Sequence, residues 1–296
     1  MPGREEGRRN LSEAAPRRVI TAVAMSGILV MVFILLFLMK EGMPILRDAS
    51  ITELAAGRLW YPVSSPPLFG MMPLIAGSMA VTLVSSVLAI PFGVALALFL
   101  TEICPKRISG FFKITLEILG FLPSVVLGFI GMTVIAPYLQ VRLELLSGLN
   151  LMNASMLLGV MILPTVATLS EESLHAVPQS QRDASYALGA TRCETMFKVV
   201  LPGASRGIAQ AAILGVMRSL GETMVVLMAS GGAALLPESV FDPVRPLTSA
   251  VAAEMGETSV GSGHYHALFF MGCILLLFTL VLNVLVIKIE SRREAN

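Results

Sequence analysis

Two oppositely charged residues lie inside an otherwise apolar stretch of the chain. Arg218 and Glu222 are four residues apart within 208–229, so a continuous helix would place both on one face. A charge at the centre of a bilayer costs about 2.5–3.5 kcal/mol on insertion scales, and such charges commonly mark substrate pathways. A guanidinium group presents a planar fork of donors that matches phosphate oxygens. We interpret Arg218 as a candidate anion contact that Glu222 holds at rest; a structural salt bridge is the alternative.

A second group of polar residues forms the segment 178–202, which is too polar to span a membrane. The runs 180–183 and 191–194 both fit the capping-box pattern, in which side-chain oxygens satisfy free N–H groups at the start of a helix. Gly189 lies between them and can adopt the left-handed conformation that ends a helix. The segment therefore predicts two short helices joined by a glycine turn. From the pattern alone, an amphipathic hairpin lying on the protein or lipid surface is the alternative.

Apolar stretches of membrane length surround both groups. The chain has 296 residues, of which 55% are hydrophobic and 14% charged, whereas soluble proteins carry about 25% charged residues. Six stretches reach the roughly 20 residues that a helix needs to cross a bilayer: 19–39, 73–100, 116–139, 151–169, 208–229 and 266–287. The sequence predicts an all-α polytopic membrane protein with six transmembrane helices. The four middle spans, rich in Pro, Gly and hydroxyl residues, are expected to line a pathway, and the first and last to face lipid.

The charge distribution orients the predicted spans. Most of the 21 Lys and Arg residues fall on the side of the two termini, so the positive-inside rule places both termini in the cytoplasm. The chain then divides into a cytoplasmic tail (1–18), a first transmembrane helix (19–39), an outer segment (40–72), a core of five spans that includes the loop 178–202 (73–288), and a second cytoplasmic tail (289–296). A formal net charge of +1 gives no overall field that would attract nucleic acid.

Few other groups are candidates for chemistry. The sequence contains no GxxxxGK[ST] phosphate-binding loop, so this chain is not expected to hydrolyse ATP. The cysteines have no metal-binding spacing, and His264 and His266 lack a third ligand nearby, so we expect an interfacial aromatic belt there. Glu171 and Glu172 are expected at a solvated helix end. We predict no catalytic residue, no metal site and no cofactor in this chain.

One ordered set of residues stands out within 178–202. Asp183-Ala184-Ser185 is followed by three residues, Gly189, nine residues and Val199-Val200-Leu201-Pro202. This order resembles the EAA loop of ATP-binding-cassette (ABC) importer permeases, which reads Glu-Ala-Ala, three residues, Gly, nine residues, Ile-x-Leu-Pro. The resemblance implies a coupling helix that docks on a separate ATPase, which would bind ATP and Mg. The residues assigned to this coupling are Asp183, Ala184, Gly189, Thr191, Glu194, Phe197, Leu201 and Pro202.

Similarity extends along nearly the whole chain. The runs Trp60-Tyr61-Pro62, Phe69-Gly70, Pro123-Ser124-Val125-Val126 and Gly221-Glu222-Thr223-Met224 resemble phosphate permeases of the C type. The resemblance implies a type I ABC-importer permease fold in the inner membrane and phosphate import by alternating access, with Arg218, Glu222 and Thr223 on the substrate pathway. The implied partners are a second phosphate permease, an ATPase dimer and an external phosphate-binding protein. The alternatives are a permease for molybdate or sulfate, which typically shows Gly-Glu-Phe-Gly at the last of these runs, and a non-transporting membrane scaffold.

Overall fold

Six long apolar helices dominate the structure. This computed structural model describes the backbone of residues 3–294 and the side chains of 19–105 and 107–289. The helices long and apolar enough to cross a membrane are Val19–Arg47, Met72–Ile103, Ser124–Arg142, Leu151–His175, Arg192–Leu220 and Gly263–Ile289. The prediction of an all-α polytopic protein with six spans is confirmed. The predicted tails, 1–18 and 289–296, lie largely outside the residues whose side chains are described.

The regular elements follow one another in chain order. They are α1 (Gly3–Gly42), a 3-10 turn (Met43–Arg47), α2 (Ile51–Ala56), β1 (Trp60–Tyr61), β2 (Leu68–Phe69), α3 (Met72–Leu98), α4 (Lys106–Phe121), α5 (Ser124–Ile130), α6 (Ala136–Arg142), α7 (Leu151–His175), α8 (Gln179–Ala187), α9 (Arg192–Thr195), α10 (Leu201–Leu220), α11 (Met224–Ala229), α12 (Leu247–Glu254) and α13 (Gly263–Glu294). Three π-helical turns extend α3, join α5 to α6 and join α9 to α10; they are Phe99–Ile103, Gly131–Ile135 and Met196–Val200.

The helix α7 lies at the centre of the bundle. It packs mainly against α3 and α10, and also against α4, α5 and α11. Glycines permit the closest approaches: a Cβ at Gly93 of α3 would lie 2.8 Å from a methyl group of Val166, and one at Gly215 of α10 would lie 2.7 Å from another. By contrast, α1 and α13 pack on each other, and few of the described residues in the spans Val19–Arg47 and Gly263–Ile289 are buried, as expected for helices that face lipid.

Two spans are broken near the middle of the bundle, where the sequence predicted continuous helices. The predicted span 116–139 is interrupted because α4 ends at Phe121 and α5 begins at Ser124. Pro123 lies between them; it has no N–H to donate and disfavours helical geometry in the residue before it. The predicted span 208–229 is interrupted at 221–223, between α10 and α11.

Residues 43–71 and 230–262 pack together at the end of the bundle opposite the loop 178–202, and we call them the cap. Within the cap, β1 pairs antiparallel with β2. One buried apolar cluster joins both cap segments to the bundle, and its members include Leu54, Trp60, Phe69, Leu247 and Leu268. The cap is therefore a packed structure that holds the ends of several spans in place.

Candidate functional site

Arg218 lies in the last turn of α10, beside the middle of α7. Its terminal nitrogens are 3.4 Å from the hydroxyl oxygen of Thr165 and 3.5 Å from the carbonyl oxygen of Gly120. Both hydrogen bonds are longer than the usual range for N–H donors, and the side chain is exposed in this chain taken alone. Since a guanidinium group has five N–H donors, Arg218 retains donors for a ligand.

Glu222 does not pair with Arg218 in the described structure, so the predicted ion pair is wrong. The helix is interrupted between the two residues, and the four-residue spacing therefore no longer places them on one face. The carboxylate of Glu222 instead accepts hydrogen bonds from the N–H groups of Met224, at 3.1 Å, and Val225, at 3.5 Å. These bonds cap the start of α11, where the helix dipole also favours a negative charge.

The break between α10 and α11 is tied to the cap by contacts that the sequence analysis missed. Thr248, in the first turn of α12, donates its hydroxyl to the carbonyl oxygen of Glu222 at 2.7 Å. The neighbouring N–H of Leu247 donates to the hydroxyl oxygen of Ser78 in α3, at 2.8 Å. The helix α12 thus fixes the position of the break relative to α3. Thr223 lies half-buried in the same break, and its place on a pathway stays a prediction.

A buried amide connects the two broken spans. Asn153 of α7 donates through Nδ2 to the carbonyl oxygens of Gly131, at 3.2 Å, and Ala229, at 3.3 Å. Gly131 begins the π-helical turn after α5, and Ala229 is the last residue of α11. A single side chain therefore holds both discontinuous helices against α7. An asparagine inside a span was the available signal, because polar side chains there commonly bridge helices.

The loop 178–202 forms the predicted helix–turn–helix, with one correction. The helix α8 begins at Gln179, directly after Pro178, so the predicted capping box at 180–183 is wrong. Pro178 occupies the N-cap position instead, with a ψ of 138°, and no side chain of the described residues caps this helix. Asp183 lies within α8 and accepts a hydrogen bond from the side chain of Gln179 at 3.0 Å. Gly189 follows α8 with a φ of +84°, as predicted.

The second predicted capping box is confirmed. The Thr191 hydroxyl oxygen accepts the N–H of Glu194 at 3.3 Å, and the Glu194 carboxylate accepts the N–H of Thr191 at 2.9 Å. The helix that starts here continues through a π-helical turn into α10. The second half of the loop is therefore a direct extension of the fifth span.

The end of α8, the turn after it and the helix that follows carry exposed apolar side chains. Leu188 is 90% exposed, Phe197 57% and Tyr186 41%. Exposed apolar patches indicate protein or membrane contact surfaces. Phe197 was predicted from the sequence, whereas Leu188 and Tyr186 were not. Among the other predicted coupling residues, the half-buried one is Leu201 and the exposed ones are Asp183, Ala184, Gly189, Thr191, Glu194 and Pro202; their contact with a partner stays a prediction.

Two polar side chains that the sequence placed at the surface are largely buried. Glu171 is 6% exposed, and its carboxylate lies 2.7 Å from the amine of Lys113, because α4 packs along α7. Glu172 is exposed, as expected. His264 does not lie in an interfacial belt: its Nε2 is 2.8 Å from the carboxylate of Glu254 inside the cap.

Sequence comparisons relate the chain to known transport proteins. The profile of the family described as "Binding-protein-dependent transport system inner membrane component" matches residues 89–294. The probable ABC transporter permease protein YqgH of Bacillus subtilis is 38% identical over 288 residues, which are 97% of this chain and 93% of that protein. The phosphate transport system permease protein PstC of Pasteurella multocida is 31% identical over 256 residues, 79% of each chain.

Solved structures show the same architecture at lower identity. A chain of a bacterial ABC transporter involved in the import of the acidic polysaccharide alginate superposes with a TM-score of 0.62 at 12% identity, covering 94% of this chain and 99% of that one. A chain of the MetNI methionine ABC transporter gives a TM-score of 0.57 at 21% identity, covering 77% and 99%. At these identities the likeness shows the fold, which is that of type I ABC-importer permeases. Taken with the profile match and the relatives at higher identity, it shows that the chain belongs to the family of binding-protein-dependent transport system inner membrane components.

Proposed function

We propose that this chain is the permease subunit of an ATP-driven importer that carries inorganic phosphate into the cytoplasm by alternating access. The observation that carries the proposal is the exposed guanidinium group of Arg218, which lies at mid-bundle beside the breaks in two spans. Discontinuous helices near the bilayer midplane are typical of substrate sites in transporters. Similarity to PstC of Pasteurella multocida and the run Gly221-Glu222-Thr223-Met224 support phosphate as the anion.

The surroundings of Arg218 suit an anion that must leave again. Because Glu222 is engaged by backbone N–H groups, it does not neutralise the guanidinium group. The present partners of Arg218 are neutral oxygens at 3.4 and 3.5 Å. Phosphate adds a negatively charged acceptor and can accept two parallel N–H bonds from the guanidinium group, so it would replace the neutral oxygens readily. Because one positive charge binds phosphate only weakly, the anion can leave the site again.

The partners follow from the same proposal. A second phosphate permease completes the pathway, and an external phosphate-binding protein delivers its ligand to the cap. An ABC ATPase dimer binds ATP and Mg and docks on the exposed patch of Tyr186, Leu188 and Phe197. The chain lies in the inner membrane with both termini in the cytoplasm. Closure of the ATPase dimer moves α8, and the bundle then opens towards the cap. Phosphate is released on the opposite side after ATP hydrolysis. These steps are coupled because the outward-open and inward-open states differ in their affinity for phosphate.

Uptake by the complete reconstituted complex tests the proposal. Proteoliposomes supplied with ATP should accumulate labelled phosphate in preference to labelled sulfate or molybdate. The variant Arg218→Gln should reduce phosphate uptake by about tenfold or more, because a hydrogen bond to a charged group contributes about 1.5–3 kcal/mol. Arg218→Lys keeps the charge and should retain part of the activity. The control Arg142→Gln changes an exposed arginine at the end of α6 and should leave uptake unchanged.

Each outcome discriminates between hypotheses. Normal phosphate uptake by an assembled Arg218→Gln complex would overturn the role of Arg218. Preferential uptake of sulfate or molybdate would identify an importer of another oxyanion, and the absence of any nucleotide-dependent uptake would favour a scaffold. The variant Glu222→Gln retains an oxygen that can cap α11, so its complex should take up phosphate at the normal rate. If Glu222 instead formed a functional ion pair with Arg218, this variant should lose phosphate uptake.

A further inference from the structure

The helix α8 is attached to the bundle by very few side chains. None of its residues is buried, although both of its neighbours along the chain, α7 and the helix that leads into α10, are packed into the core. Within the loop, the hydroxyl groups of Ser185 and Thr195 lie 2.9 Å apart and join α8 to α9. A displacement of α8 therefore needs some other contact if it is to reach the remaining spans.

Arg182 of α8 makes that contact. Its guanidinium group forms an ion pair with Glu102 and donates a second hydrogen bond to the carbonyl oxygen of Leu174, at 2.9 Å. Glu102 lies in the π-helical turn that ends the second span, and Leu174 lies in the last turn of α7. One side chain thus connects α8 to the ends of two different spans.

The burial of this pair separates it from ordinary surface charges. The side chains of Arg182 and Glu102 are 12% and 15% exposed, whereas those of the Lys198–Glu194 pair in the same loop are 74% and 45% exposed. Exposed ion pairs contribute little because water and salt screen them. A largely buried arginine held by a carboxylate and a carbonyl group is fixed in direction as well as in distance.

We propose that Arg182 is a positioning residue that transmits the displacement of α8 to the second span through Glu102, while its hydrogen bond to the carbonyl group of Leu174 holds it in place against the fourth span. The inference rests on the proposed function, because it assumes that an ATPase moves α8. Without this link, docking and ATP hydrolysis continue, but the second span no longer follows the coupling helix.

The test measures phosphate taken up per ATP hydrolysed by the complete reconstituted complex. Glu102→Gln removes the charge on the span side and leaves every residue of the loop 178–202 unchanged. Both Glu102→Gln and Arg182→Gln should assemble with the ATPase and hydrolyse ATP, with about tenfold less phosphate moved per ATP, a size typical of coupling between distant sites. Arg182→Lys keeps the charge, so its phosphate uptake per ATP should lie between that of these two variants and that of the unmodified chain. Lys198→Gln, the exposed control, should show the unmodified ratio.

The possible results separate this inference from the proposed function. If the unmodified complex shows no nucleotide-dependent phosphate uptake, the proposed function itself fails. If the unmodified complex transports phosphate and Glu102→Gln keeps the same phosphate uptake per ATP, the inference is overturned. If, in addition, only Arg182→Gln fails to bind the ATPase, Arg182 is a docking contact. If the single variants fail to assemble, the double variant Glu102→Leu with Arg182→Met replaces them, because apolar replacements of buried ion pairs are often tolerated. Unchanged phosphate uptake per ATP in that double variant also overturns the inference.

Discussion

Replacing Gly207 by alanine should force α10 away from α7 on the side of the loop 178–202. A Cβ at Gly207 would lie 2.2 Å from Oγ and 2.6 Å from Cβ of Ser173. Rotation of the Ser173 hydroxyl, which now donates to the carbonyl oxygen of Leu169 at 2.7 Å, relieves only the first contact. The Cβ of Ser173 is fixed by the backbone. Since non-bonded carbon atoms approach to about 3.5–4.0 Å, the two helices must separate locally by about 1 Å.

The expected cost of this separation follows from two opposing effects. Overpacking a filled site costs about 1–3 kcal/mol, while replacing glycine by alanine inside a helix is worth about 0.5–1 kcal/mol. The net destabilisation should therefore be about 0.5–2 kcal/mol. For a chain of this size it should lower the Tm by about 1–3 °C. Thermal denaturation of the purified chain in detergent measures the change.

Two further variants make the result interpretable. Gly110→Ala in α4 is the matched control, because a Cβ there would meet no atom within 4 Å; it should leave the Tm unchanged or raise it slightly. Ser173→Gly combined with Gly207→Ala removes the clashing atoms and should recover part of the lost Tm. If Gly207→Ala alone behaved like Gly110→Ala, the close packing of α7 on α10 would be refuted.

Two other substitutions test the connections around the breaks and within the cap. Asn153→Leu should destabilise the chain by about 1–2 kcal/mol, because it removes the buried amide that donates to the carbonyl oxygens of Gly131 and Ala229; Asn283→Leu, on an exposed face of α13, should not, and equal Tm values for both variants would contradict the bridging role. Glu254→Leu should shift the emission of Trp60, the single tryptophan, to shorter wavelength, because an apolar side chain replaces the carboxylate that accepts the indole N–H at 3.0 Å; an equal shift for Glu257→Leu, at a neighbouring exposed position, would argue against this contact.

The features that the sequence predicted correctly depend on local signals. A span is recognisable from the length of its apolar run, and the cap of α9 depends on two residues three positions apart. Gly189 is recognisable because few other residues adopt its backbone conformation. The contacts of Thr248 and Asn153 join positions 26 and 76 residues apart, respectively. The chain around them contains no pattern that identifies those partners, so only the fold reveals them.

The error over Arg218 and Glu222 has a specific physical origin. Spacing arguments assume a continuous helix, and apolar composition gives no warning of an interruption, since the residues on both sides of the break suit a membrane. Gly221 ends α10, and Glu222 then caps α11 with its own carboxylate. A carboxylate just before a helix can accept its free N–H groups and is favoured by its dipole, so a glutamate there can cap a helix as well as form an ion pair. Because the helix is interrupted at 221–223, Glu222 caps α11 and does not pair with Arg218.

The missing ion pair changes what Arg218 requires of its surroundings. Had the pair formed, an entering anion would have to displace the Glu222 carboxylate from the guanidinium group and leave that carboxylate without its partner. The observed contacts with neutral oxygens impose no such barrier. An arginine near the centre of a bilayer is nevertheless stable only where it meets water, protein dipoles or a counter-ion. The face of α10 that exposes Arg218 therefore cannot face lipid, and it must border a hydrated space. This chain supplies one wall of that space, which is a physical reason to expect a second membrane subunit on that face.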